Sequence, residues 1–219
     1  MSEIFGPTRS PDFHRNAVVE DFDEHAIAIG FADLADLGVE EWERHGPNDL
    51  LFVPIVYNYR HALELVLKAA IRETAACPRE DGETDADLDR DALDRWLLGP
   101  RGNGHSLQRL AVRLDEWLRR LDLEGLPENA HDVLMSLHEL DPRGDAFRYA
   151  TVSDGGGGRK SAPRPGVSSE VLQSHVDVIV MQQHFRGAFD LLSAGVMTEL
   201  ENVQEYQADM RDMYGETDW

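Results

Sequence analysis

Four polar residues, Tyr57, His61, Glu64 and Lys68, stand at i, i+4, i+7 and i+11 within the otherwise apolar segment LLFVPIVYNYRHALELVLKAAIRE. That spacing puts them on one face of a helix, one above the other. Arg60 flanks the stripe at i,i+4 from Glu64, and Glu64 precedes Lys68 by four, the favoured order for a helical ion pair. Buried without partners, such groups cost several kcal/mol each, so they must pair with one another or line a wet cavity. Two chemistries remain open. In one, His61 does acid–base work and Arg60 or Lys68 holds a phosphate. In the other, the stripe is a buried ion-pair network that fixes helix register or a dimer seam.

Two further places supply matching residues. His105, in Gly104-His105-Ser106-Leu107, opens a later helix, where backbone amides and the helix dipole favour anions; it serves equally as that helix's cap. Arg148 lies between Phe147 and Tyr149, after the turn Asp141-Pro142-Arg143-Gly144-Asp145. It is placed to pair with Glu64, to meet an anion, or to latch the loop onto the rest of the fold. The candidate catalytic residues are therefore His61, His105, Arg60 and Glu64, and the candidate ligand-binding residues are Lys68, Arg148, Tyr149 and Tyr57.

Other motifs fail on chemistry. GGGGRKS has Arg159 where a phosphate-binding loop needs glycine, and no buried strand precedes it. No C-x-x-C, H-E-x-x-H or G-x-S-x-G occurs. DADLDRD at 85–91 lacks the glycine and closing glutamate of a calcium loop. His131 and His138 share a face that reads as solvated. No metal or other cofactor is expected. Cys77, alone in the chain, excludes an internal disulfide and sits where a helix should end.

The elements that must position these residues read as helices. Apolar positions recur at helical spacing from Val18 to about Arg44, with Gly30 and Gly38 predicting a soft spot or two pieces. The stripe's helix, capped by Asn48 or Asp49, should be central and end near Cys77-Pro78. Residues 78–104 are densely acidic and read as a solvated loop with a short helix around Ala92–Leu98. A third helix follows His105, and a fourth runs from about Pro127 to Leu140. Residues 141–167 form a glycine-rich loop, with a short strand or hairpin at Ala146–Val152 and a flexible Gly155–Gly158 run. Ser168 or Ser169 caps a last helix that continues past Gly195 to about Tyr214. The expectation is an all-α bundle of four to five long helices with two long loops, spanning 18–200, between an N-terminal arm (1–17) and an acidic end (201–219).

The 219 residues carry 42 acids against 21 Lys and Arg, a formal charge of -21. Such a surface repels nucleic acid and anionic membrane as a whole, yet permits a local basic pocket. The N-terminus lacks the apolar core of a signal peptide, and no apolar run approaches the ~20 residues of a membrane span. A cytoplasmic protein without membrane contact is the default.

Tyr59-Arg60-His61-Ala62-Leu63-Glu64-Leu65-Val66-Leu67-Lys68, Gly104-His105-Ser106-Leu107 and Phe147-Arg148-Tyr149 together resemble the HEPN-like superfamily of helical-bundle proteins from bacterial toxin–antitoxin and anti-phage systems. The similarity spans about 48–195. It implies a bundle, frequently a homodimer, and in active members a metal-independent RNase. That family's catalytic signature is an arginine, four to six residues, then a histidine. Here Arg9 and His14 have the spacing but lie in the arm, Arg101 and His105 are separated by three residues, and His184 precedes Arg186. The leading expectation is a homodimeric defence protein that binds RNA or a nucleotide. The alternative is a non-catalytic interaction protein whose acidic loop or tail docks a basic protein partner.

Overall fold

The computed structural model describes residues 17, 21–98, 103–149, 151–153, 158–162 and 175–215. The expected arm, most of the glycine run and the serines read as a cap, Ser168 and Ser169, lie outside them. The protein is an all-α helical bundle.

Helix α1 (Glu24–His45) starts where Asp23 accepts a hydrogen bond from the Ala26 amide at 2.7 Å. It buries Ala28, Ala32, Ala35 and Val39, a stripe of small residues that lets it lie close along α2. It is one unbroken helix despite Gly30 and Gly38, because tertiary packing outweighs the ~1 kcal/mol cost of each glycine.

Helix α2 (Asp49–Glu80), capped by Asn48, runs through Pro78 and is the axis of the bundle, with α1, α4, α6 and α7 packed around it. The sequence ended it three residues early. Pro78 falls in the last turn, where few backbone bonds remain to be lost. By length and composition α2 is apolar enough to cross a membrane, against the expectation that no segment would be; half of its most apolar stretch is buried inside the bundle.

The acidic stretch is not simply a solvated loop. Helix α3 (Arg90–Leu98) buries Leu93 and Leu97, and Leu88 is buried just before it. Arg120 binds Glu83 and lies 2.7 Å from Asp85, Arg113 lies 3.6 Å from Asp87, and Arg79 donates to the Leu88 carbonyl at 2.8 Å. The carboxylate density that suggested solvation hid three leucines and their anchoring arginines.

A 3-10 turn (Asn103–His105) leads to α4 (Leu107–Arg120), whose inner face is Leu107, Leu110, Leu114 and Leu118. Ser106, not His105, caps it, accepting from the Arg109 amide at 3.4 Å. Helix α5 (Glu128–Leu140) buries Ala130, Leu134 and Leu137. Strands β1 (Thr151–Ser153) and β2 (Arg159–Ser161) form a small antiparallel hairpin, which overlaps only the end of the segment Ala146–Val152 read as a short strand or hairpin.

Helix α6 (Val178–Asp190) starts at Asp177, which accepts from the Ile179 and Val180 amides. It passes through a π-helical turn (Leu191–Val196) into α7 (Met197–Gly215). Leu192, Val196 and Leu200 are buried along this continuous segment.

Candidate functional site

The stripe on α2 becomes a buried four-residue ionic cluster. Arg60, Glu64, Lys68 and Asp141 are 2%, 1%, 5% and 1% exposed, so solvent screens none of them. Arg60 donates to Glu64 Oε2 at 2.9 Å and Lys68 donates to Glu64 Oε1 at 2.9 Å. Arg60 also donates to the His105 carbonyl at 2.7 Å and to the Asp141 carbonyl at 3.4 Å. Its Nε lies 2.8 Å from Asp141 Oδ2, but off the N–H direction, so this contact is an ion pair rather than a hydrogen bond. Two cations face two carboxylates, and the cluster is neutral.

Asp141 does a second job. Its Oδ1 accepts from the Asp145 and Ala146 amides at 2.9 and 3.0 Å, closing the turn before Phe147. Gly144 within that turn has φ 77°, and a Cβ there would meet the Arg60 guanidinium at 3.1 Å and His105 Cβ at 3.2 Å. Gly104 is equally constrained: a Cβ would collide with the Leu97 carbonyl. Two glycines thus let two loops close over Arg60.

His105 sits at the edge of the cluster. Its Nδ1 is 2.9 Å from Glu64 Oε1, while 55% of its side chain stays exposed. Burial pushes the Glu64 carboxyl up, but Lys68, Arg60 and His105 outweigh it and hold the pKa below the ordinary carboxylate range. Glu64 is therefore ionised at neutral pH and accepts from Nδ1–H. The outward nitrogen, Nε2, is left to exchange a proton with a ligand.

Comparison with protein-family models, curated proteins and solved structures gives no match. The chemistry of the site must be argued from its own geometry.

His61 takes a different place from His105. It lies between Phe31, edge-on at 4.4 Å between ring centroids, and Tyr57, stacked at 5.8 Å. Its Nδ1 is buried and unpartnered. Burial lowers its pKa, Glu64 opposes this, and Arg148, Lys68 and Arg60 lower it further. The ring is neutral at pH 7. Its NMR titration is expected to show a midpoint below 6.5. Because the unfolded chain takes up that proton more readily, this residue's contribution to stability is present above pH 6.5 and declines below it. A midpoint at or above 6.5 would mean that His61 is not held in this apolar slot.

Arg148 is exposed and places its guanidinium 5.6 Å from the Tyr57 ring centroid. Phe147 is buried and Tyr149 exposed, so the loop latches onto the bundle through Phe147. Arg148 does not reach Glu64. The structure thus joins Tyr57, His61, Glu64, Lys68, Arg60, His105 and Arg148 into one region. It overturns one assignment: Arg60 and Lys68 are buried in pairs and do not offer a phosphate their charge. Arg148 and His105 are the groups of this region that face outward.

Four residues escaped the sequence reading. Asp141 was read only as part of a turn. His138, placed with His131 on a solvated face, is half-buried with an unpartnered Nδ1, and burial with nearby Arg60 lowers its pKa. The exposed Arg143 and Lys160, with Arg148, belong to a stretch richer in cations than in acids; among the described residues none of the three is in an ion pair. Ala146 packs against Ala162, which brings the hairpin onto this turn. The visible signal was four cations against two acids from 143 to 160, in a chain of net charge -21. Among the described residues, no group of three His, Cys, Asp or Glu could hold a metal ion.

Proposed function

We propose that this chain is a HEPN-like helical-bundle protein that binds RNA or a nucleotide and cleaves RNA without a metal. One observation carries the reading: an exposed imidazole, His105, held through Nδ1 by the buried, ionised Glu64 at 2.9 Å. In this reading His105 Nε2 takes the proton of a ribose 2′-hydroxyl. The 2′-oxygen bonds to the adjacent phosphorus as the bond to the 5′-oxygen breaks, and the leaving 5′-oxygen receives that proton from the His105 imidazolium. Arg148 stabilises the phosphate charge, and Tyr149 with Tyr57 offers rings for base stacking. Glu64, Arg60, Lys68 and Asp141 position His105 rather than touch the ligand. A homodimer follows from the same resemblance.

The test is RNA cleavage in EDTA by the wild type and by His61→Ala/His105→Ala. The wild type is expected to cleave, and the double substitution to lose at least ~100-fold with an unchanged circular dichroism spectrum. A second reading, a non-catalytic interaction protein, is favoured by the complete internal pairing of Arg60, Glu64 and Lys68. No cleavage by folded wild type, with unfolding of the double variant, decides for that reading.

A further inference from the structure

At the far end of α4 from His105, about 20 Å along the helix, lies an open groove that the proposed RNA site does not use. Its volume is about 540 Å³, within the range of ligand-binding clefts. Leu123, Leu191 and Val196 supply its apolar floor and walls. Asp122, Glu124 and Glu199 are exposed at its rim, and no lysine, arginine or histidine lines it. Arg119, whose guanidinium lies against Gly125, is bound to Asp115 at 3.0 Å. Among the described residues Asp122, Glu124 and Glu199 are in no ion pair, so the rim presents three carboxylates around an apolar cleft.

Charge complementarity selects the occupant. We propose that this groove docks a short segment of a partner protein that carries one or two apolar side chains flanked by lysine or arginine. The apolar anchors fill the cleft between the α4–α5 turn and the π-helical turn, and the flanking cations meet Asp122, Glu124 and Glu199. This differs from the acidic loop as a docking element: Arg120 and Arg113 already pair with Glu83, Asp85 and Asp87 of that loop. It is also independent of the RNA reading, since no residue is shared.

Gly195 provides the discriminating variant, because a Cβ there meets nothing within 4 Å. Gly195→Phe should block the groove without disturbing the core. The experiment selects from displayed random 12-residue peptides on the purified protein, and measures the enriched peptides by fluorescence anisotropy. The expected consensus is apolar anchors flanked by Lys or Arg. Affinity should fall at least ~10-fold in Glu124→Lys/Glu199→Lys and be lost in Gly195→Phe, with RNA cleavage unchanged and an unaltered circular dichroism spectrum. A consensus of other chemistry, binding indifferent to Gly195→Phe, or no enrichment would each overturn the proposal.

Discussion

Replacing Glu64 with alanine is expected to destabilise the protein by about 3–5 kcal/mol, the usual consequence of removing one partner from a buried ion cluster. Glu64 is the one carboxylate that meets both Arg60 and Lys68 at 2.9 Å. Without it Lys68 loses its carboxylate and Arg60 keeps only Asp141, inside a core with little water to screen them. Against a typical total of about 5–15 kcal/mol, such a loss leaves the fold marginal. Urea denaturation of Glu64→Ala checks this, with Glu43→Ala, at an exposed glutamate of α1, as comparison. Acid should act in the same direction. The folded pKa of Glu64 is depressed, so its contribution is fully present above the unfolded value of 4.5 and is lost as pH falls through the folded one. A loss under 1 kcal/mol in Glu64→Ala, or stability unchanged below pH 4.5, would show that the cluster does not hold the core.

The second large effect is expected at Gly144. Its φ of 77° is a left-handed conformation, which costs a β-branched residue about 1–3 kcal/mol. A side chain there also presses on the Arg60 guanidinium and His105, and such overpacking costs about 1–3 kcal/mol more. Gly82 separates the two contributions. It has φ 87° but open space around its Cβ position. Gly82→Val should therefore show the backbone cost alone, and Gly144→Val the sum. Gly144→Val should also disturb His105, whose carbonyl binds Arg60 and whose ring binds Glu64. Equal melting temperatures for the two variants would mean that the turn yields and the crowding is not real.

The sequence made one half of this cluster readable and hid the other. Tyr57, His61, Glu64 and Lys68 were visible because a helix brings together residues at fixed spacing, and charged residues in an apolar helix demand partners. Asp141 lies 81 positions from Arg60, and no local rule joins them. Only the packing of the turn against α2 does so. The start of α6 shows a similar limit. Ser168 and Asp177 are both sound N-cap residues, and the apolar positions between them do not choose; the described helix begins after Asp177. Leu88 and the leucines of α3 were masked by their acidic neighbours; arginines of α4 take up the charges of Glu83, Asp85 and Asp87, and Arg72 of α2 that of Asp94.

The neutrality of the buried cluster has a consequence for how the protein behaves as a particle in solution. Since Arg60 and Lys68 cancel Glu64 and Asp141, the whole formal charge of -21 is carried elsewhere. Mutual repulsion of like-charged molecules keeps them apart at neutral pH. The net charge vanishes near the sequence isoelectric point of about 4.6. Glu64, held below the ordinary carboxylate range, still grips the core there. Colloidal protection therefore fails before internal cohesion, and folded molecules are expected to precipitate near that pH.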